Sequence, residues 1–300
     1  MMIKMQALGS GSNGNCFAVH TPAGTLLIDA GISRSRIITG LKQLDIDPKS
    51  VLAVLITHAH SDHIIGLPVL SSTLDFRVIA TPNTIEEIRK KAPRDSRYAR
   101  IADEAIGIPY GGQLKYGSFM IHVVPAFHDI AGSCGFQIDI GHTSLCYTTD
   151  TGSISDQFQE MMRESDYLII ESNHDKQMLA DSRRPAWLKR RIRETHLSND
   201  ETLNVLKHVV GEQTKMVALA HLSGACNSPE EVIRQVHRYN LDSDTTWDWV
   251  VCTRDARSSL ISEIRQTLLI EGGLNNRILP ELDLDLEPRL SDLDSFFSID

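Results

Sequence analysis

Three histidines and one aspartate fall within six positions in His58-Ala59-His60-Ser61-Asp62-His63. Imidazole nitrogens and a carboxylate, brought together on so short a stretch, suit one or two borderline divalent cations, zinc first among them. Further along, His128, Asp150, Glu171 and His221 each follow an apolar run of strand length. In α/β sheets the groups that do chemistry collect at strand ends, where side chains converge without breaking the core. The repeated placement predicts one polar centre assembled from distant parts of the chain.

The elements that must position these residues are legible from periodicity. Val51-Leu52-Ala53-Val54-Leu55-Ile56 has the length and branching of a strand buried on both faces. His58 and His60 alternate off its end, and Asp62 and His63 follow as the chain turns into a helix expected over Ile64 to Leu70. Earlier strands are expected over Ile3 to Leu8, Cys16 to His20 and Thr25 to Ile28, the last ending at Asp29, with a helix over Ser33 to Leu44. Asn13-Gly14 reads as a hairpin turn. A nucleotide P-loop is disfavoured there because no Gly-Lys-Ser/Thr follows.

Arg77 to Ala80 reads as a short strand, Thr81-Pro82 as a helix start, and Arg94 to Gly112 as loop with a short strand. Strands then run Ser118 to Phe127, Cys134 to Ile140, Thr143 to Thr149, Tyr167 to Ile170, Lys215 to Ala220 and Trp247 to Thr253. Helices are expected over Ser155 to Arg163, twice between His174 and Glu194, from Ser198 with Glu201 closing a capping box, from Ser228-Pro229, and over Ser258 to Leu269.

With 300 residues and 41% hydrophobic content, the chain can fill one large α/β domain. No apolar run approaches the roughly 18 residues of a membrane span. The start shows no signal peptide, and five cysteines without a C-x-x-C pair suggest neither a disulfide framework nor a thiolate zinc site. A cytoplasmic protein is expected. The net charge of −9 is uneven: residues 281–300 carry seven acids against Arg289, leaving about −3 for the remainder. In the opposite sense, Arg183, Arg184, Lys189, Arg190, Arg191 and Arg193 crowd eleven positions without an acid. Beside a catalytic centre such a run would attract phosphates.

The pattern His-x-His-x-Asp-His, then a lone His, a lone Asp and a terminal His after successive strands, resembles the metallo-β-lactamase superfamily over about residues 1–255. Within it, Gly9-Ser10-Gly11-Ser12-Asn13-Gly14-Asn15, Glu171-Ser172-Asn173-His174-Asp175, Thr195-His196-Leu197-Ser198-Asn199 and Ala220-His221-Leu222-Ser223 are similar to the YycJ/WalJ group of nuclease-like hydrolases. Thr195 departs from the Gly that often precedes His-Leu-Ser there. The resemblance implies a four-layer αββα sandwich of the α/β class, with residues 1–255 as the catalytic domain and residues 256–300 as a helix and acidic tail. It implies two divalent ions (zinc, with manganese or iron as alternatives), one held by His58, His60 and His128 and the other by Asp62, His63 and His221. Asp150 would bridge them, and Asp29 would orient the histidine loop from behind.

The activity implied is two-metal phosphodiester hydrolysis, a 5′-exonuclease on DNA or RNA, with hydroxide between the ions as nucleophile. Asp62 would orient that nucleophile or take its proton, and His196, oriented by Glu171, would assist the leaving oxygen. Arg184, Lys189, Arg190 and Arg193 would hold the nucleic-acid backbone. The alternative is a small-molecule thioester or lactone hydrolase of the glyoxalase-like type, which needs neither the basic run nor His196. A non-catalytic, metal-stabilised binding module is the reading from another class. The tail around Leu282-Asp283-Leu284-Asp285-Leu286 reads as a disordered segment or a docking peptide for a protein partner. The sequence is silent on oligomeric state.

Overall fold

Successive side chains of the strand Cys16–Thr21 enter different apolar layers: Phe17 and Val19 one, Cys16 and Ala18 another. Gly24–Ile28 repeats this with Leu26 and Ile28 against Leu27, and Val51–Leu55 with Ala53 and Leu55 against Val54. Since side chains alternate across a strand, these strands form a sheet covered on both faces. In the computed structural model, which describes residues 3–240 and 247–253, that sheet has six strands in the order β1 (Lys4–Gly9), β2 (Cys16–Thr21), β3 (Gly24–Ile28), β4 (Val51–Leu55), β5 (Arg77–Ala80) and β6 (Ile106–Gly107). β1, β2 and β3 pair antiparallel, and β3 to β6 parallel.

The second sheet has seven strands: β7 (Gln113–Tyr116), β8 (Phe119–Pro125), β9 (Cys134–Ile140), β10 (Thr143–Thr148), β11 (Tyr167–Glu171), β12 (Met216–Ala220) and β13 (Asp248–Val251). It too begins antiparallel, through β10, and continues parallel to β13. Phe119, Ile121, Phe136, Ile138, Leu145, Tyr147 and Ile169 meet Phe17, Leu26, Ile28 and Leu55 in one buried layer, so the sheets pack face to face.

A second apolar layer joins the first sheet to α1 (Arg34–Gln43), α3 (Leu67–Ser71), α4 (Pro82–Arg89) and α5 (Arg97–Glu104) through Ile37, Leu41, Leu67, Leu70, Ile88 and Ile101. A third joins the second sheet to α6 (Asp156–Arg163), α9 (Asn199–Val209) and α10 (Pro229–Asn240) through Phe158, Met162, Leu206, Val232 and Val236. Three apolar layers between four sets of elements make the αββα sandwich expected.

Several local expectations need correction. The helix expected over Ile64 to Leu70 is two short ones, α2 (Ser61–Ile64), which already contains Asp62 and His63, and α3. They part around Gly66, where a Cβ would stand 2.2 Å from the Ile32 carbonyl oxygen, so the chain presses backbone to backbone. Within Arg94 to Gly112 the short strand expected is present as β6, but a helix, α5, also forms there on Tyr98, Ile101 and Ala102, and a further strand, β7, follows beyond that segment. Asn13-Gly14 does not close a tight hairpin: β1 and β2 pair, but residues 10–15 make a longer excursion between them. His128 stands three positions past the end of β8 rather than directly on it. The helix expected over Ser258 to Leu269 and the acidic tail lie outside the described residues. Among the described residues no helix is long and apolar enough to cross a membrane.

Candidate metal centre

Asp29, Asp150 and His221 follow directly or within two residues of β3, β10 and β12, and all three adopt left-handed backbone, with φ of 61°, 56° and 58°. Non-glycine residues are uncommon there, Asp and His being among those that tolerate it best. Each strand thus turns off abruptly at the same edge of the sandwich and delivers its side chain there.

The first group is built from His58, His60 and His128. The Thr57 hydroxyl gives its proton to Asp29 (3.0 Å to Oδ2), so its oxygen accepts from His58 Nδ1 (3.1 Å) and leaves His58 Nε2 bare. His128 Nδ1 donates to the Thr195 carbonyl (3.0 Å), which leaves its Nε2 bare as well. His60 Nδ1 lies 3.1 Å from the first of these nitrogens and 3.2 Å from the second. Burial pushes the pKa of all three histidines down, so they are neutral. His60 Nδ1 carries at most one proton for these two bare nitrogens, so at least one pair of lone pairs faces at this spacing and repels unless a cation sits between them. The separations are close to the edge of a tetrahedron whose ligands lie about 2.0–2.1 Å from its centre.

The second group is Asp62, His63 and His221, whose donor atoms lie within 4.8 Å of one another. His63 Nδ1 donates to Asp29 Oδ2 at 2.7 Å, and His221 Nδ1 to Glu171 Oε1 at 2.7 Å, so both rings turn Nε2 inward. His221 Nε2 is buried without a hydrogen-bond partner, as is Asp150 Oδ2. Orphaned buried atoms of this kind are costly, and a bound cation removes the cost. Asp150 stands between the groups, with Oδ2 at 3.2 Å from His63 Nε2 and Oδ1 at 3.9 Å from His128 Nε2. Burial opposes charge on His63, yet Asp29 and Asp150 hold its pKa well above the ordinary value. Burial likewise opposes charge on His221, which Asp150 and Glu171 nevertheless raise to about 9. Burial favours neutral Asp150, but His221 and His63 override it and hold the acid well below the carboxylate range. The pocket is therefore made to hold positive charge, and the His/Asp cluster fits divalent metal ions.

Glu171 is fully buried, and its carboxylate is saturated. Oε1 accepts from His196 Nδ1 (2.8 Å) as well as from His221, while Oε2 accepts from the Thr151 and Leu197 amides at 3.0 and 3.2 Å. Burial would raise its pKa, but His196 and His221 bring it down to about 2. His196 is the C-terminal cap of α8 (Ala186–Thr195) and sits beside the centre, its ring 5.0 Å from that of His128.

The basic run splits along α8. Arg191 pairs with Asp129. Lys189 donates to the Ala180 carbonyl at 2.6 Å and Arg184 is half-buried, whereas Arg190 and Arg193 are exposed. At about 100° per residue Arg190 and Arg193 lie about 60° apart on one flank, turned about 100° and 160° away from Arg191.

Four residues at the centre were not singled out from the sequence. Ser10 Oγ accepts the His221 amide (2.8 Å), and Asn15 Nδ2 lies 3.1 Å from His63 Nε2. Asn173 Nδ2 donates to the His221 carbonyl (3.1 Å), and Asp129 Oδ1 lies 3.3 Å from His128 Nε2. Three of them stand inside the quoted motifs and Asp129 follows His128, but nothing local distinguishes their roles.

Comparison with known proteins places the chain in a family. A β-lactamase superfamily domain matches residues 25–221. Exodeoxyribonuclease YycJ of Bacillus anthracis is 32% identical over 228 residues, covering 74% of this chain and 83% of that protein. Exodeoxyribonuclease WalJ of Streptococcus pneumoniae is 32% identical over 231 residues, covering 76% and 84%. Among solved structures, the metallo-β-lactamase fold protein YhfI from Bacillus subtilis superposes with a TM-score of 0.63 at 17% identity, over 85% of this chain and 98% of that one.

Proposed function

The chain belongs to the β-lactamase superfamily of metal-dependent hydrolases, and on that premise we propose that it is a dinuclear phosphodiesterase, a nuclease that shortens DNA from the 5′ end. His58, His60 and His128 would hold one ion, Asp62, His63 and His221 the other, with Asp150 shared. Zinc suits this set of nitrogen and oxygen donors, and manganese or iron are compatible with it. When bound, such ions lower the pKa of water and neutralise charge on a phosphate.

The chain's own residues then divide the remaining work. Asp62, only partly buried beside His63 (3.6 Å from Nε2), is placed to hold the attacking water and take its proton. Asp29 and Thr57 fix the tautomers of His63 and His58 from behind. Glu171 holds His196 by Nδ1, so that the other ring nitrogen is the one directed at a leaving oxygen. Arg190 and Arg193, exposed on α8, supply sequence-independent phosphate contacts.

The observation that carries the phosphodiester reading is His196 beside the basic helix: a buried, carboxylate-backed imidazole at the cluster suits departure of an alkoxide, which a thioester does not release, and the exposed Arg190 and Arg193 suit a phosphate, which a lactone lacks. A reducing, cytoplasmic setting is in keeping with five free, buried thiols, of which Cys146 and Cys252 are pushed by burial up to about 12.

The test is metal analysis of the purified protein, followed by incubation with end-labelled single- and double-stranded DNA and RNA. Stepwise loss of nucleotides from the 5′ end, abolished by chelation, is expected. A metal-loaded protein that leaves every strand intact while cleaving thioesters or lactones would refute the proposal.

A further inference from the structure

Among the described residues, Phe127 and Trp187 are half or more exposed, at 50% and 63%. A lone exposed apolar side chain needs no explanation, but the positions of these two do. Phe127 directly precedes His128. Its amide donates to Thr151 Oγ1 (3.0 Å) and its carbonyl accepts from Gly152 (2.9 Å), so the ring is held outward on a fixed backbone. Gly152 in turn lies so close to the last turn of α8 that a Cβ there would be 2.0 Å from the Glu194 carbonyl oxygen. Arg191 reaches across from α8 to Asp129, the neighbour of His128, and Asp129 Oδ1 is 3.7 Å from His60 Nε2. Trp187 is about one turn earlier on the same face of α8 as Arg191, about 6 Å further along the axis, with exposed Arg190 beside it. Leading away from the metal cluster, the surface thus runs Phe127, the Arg191–Asp129 pair, then Trp187 with Arg190.

We propose that Phe127 and Trp187 are stacking platforms for unpaired bases, and hence that the strand entering the centre is single-stranded near its reacting end. Aromatic faces alternating with guanidinium groups are how proteins track a single strand without reading its sequence. In a duplex the base faces are stacked on one another and unavailable, so the pair would do nothing for a blunt end. This rests on the nuclease reading above and adds the form of its substrate.

The test uses the metal-loaded full-length protein and a ten-nucleotide DNA labelled at its 3′ end. A second copy of this strand lacks the first three bases, and a third is in blunt duplex. Trp187→Ala and Phe127→Ala should each raise KM on the intact strand about tenfold, leave kcat nearly unchanged, and show no such penalty on the abasic strand. Trp187→Phe should restore most of the loss. An unchanged KM on the intact strand, or an equal penalty on the abasic one, would overturn the proposal. So would a concentration-dependent dimer that Trp187→Ala dissolves, which would assign the patch to a second copy. If the wild-type protein cleaves neither the strands nor bis(p-nitrophenyl) phosphate, the nuclease reading fails on its own. Quenching of tryptophan fluorescence by the intact strand, present in the wild type and lost in Trp187→Phe, still supports the platforms; its absence overturns them.

Discussion

Because His196 and His221 both donate to Glu171 Oε1, at 2.8 and 2.7 Å, one carboxylate sets the tautomer of a proposed metal ligand and of a proposed proton donor. Removing His196 alone leaves the ligand side intact, so His196→Ala should keep its metal content and lose about 10²- to 10⁴-fold in turnover. Full activity in that variant would exclude His196 as the acid. The pH dependence of the metal-free protein follows from the same residues. The pKa of Glu171 is about 2 against an ordinary 4.5, so its contribution to stability is present above 4.5 and fades as pH falls towards 2. The pKa of His221 is about 9 against 6.5, so its contribution is complete below 6.5 and is lost as pH rises to 9. Metal-free protein should therefore be most stable between about pH 4.5 and 6.5. Metal needs His221 unprotonated, so the gain in Tm on loading should grow from pH 6 to 9. Calorimetry with and without chelator measures both, and a gain independent of pH would contradict the assignment of His221.

At the scale of elements, the centre depends on close backbone contact between the β3–α1 connection and the histidine loop. A Cβ on Gly31 would sit 1.5 Å from the Asp62 carbonyl oxygen, and backbone hydrogen bonds from Ala30 to His63 (2.8 Å) and from Asn15 to Asp62 (2.8 Å) hold the two segments in place. Gly31→Ala should destabilise the fold by about 1–3 kcal/mol and reduce metal content, read by denaturant unfolding and metal analysis. A variant with wild-type stability and metal content would show that the contact is not needed. This scale also shows what sequence reasoning can reach. The capping box of Ser198 and Glu201 was readable because both partners are local, and it is present. α5 was not, since Ser96 makes no side-chain cap and only Tyr98, Ile101 and Ala102 are buried on it. β7 alternates exposed and half-buried residues at a sheet edge, so it carries no strong apolar signal. The residues proposed as ligands could be nominated because strand ends are local features. Ser10 could not, because it meets His221 across 211 positions of chain and an ordinary serine in a glycine-rich loop reads as turn.

On the whole molecule, an acidic chain offered to a polyanion must bind through a local field, and Arg190 and Arg193 on α8 are the exposed guanidinium groups nearest the centre from that run. Affinity for DNA should therefore fall steeply with salt, with a log–log slope of about −0.7 per phosphate contacted on a single strand. Arg190→Ala should make that slope shallower by about one contact. A salt-independent KM would point instead to a small neutral ester. The two sheets also share a plan, antiparallel first and parallel after, and the clusters draw on both: His58 and His60 face His128, and Asp62 and His63 face His221. Neither half of the chain carries a complete donor set. A gene cut in the connection between β6 and β7 should accordingly give two fragments that come together more tightly in the presence of the ion than in its absence, with the cation as the rivet between them.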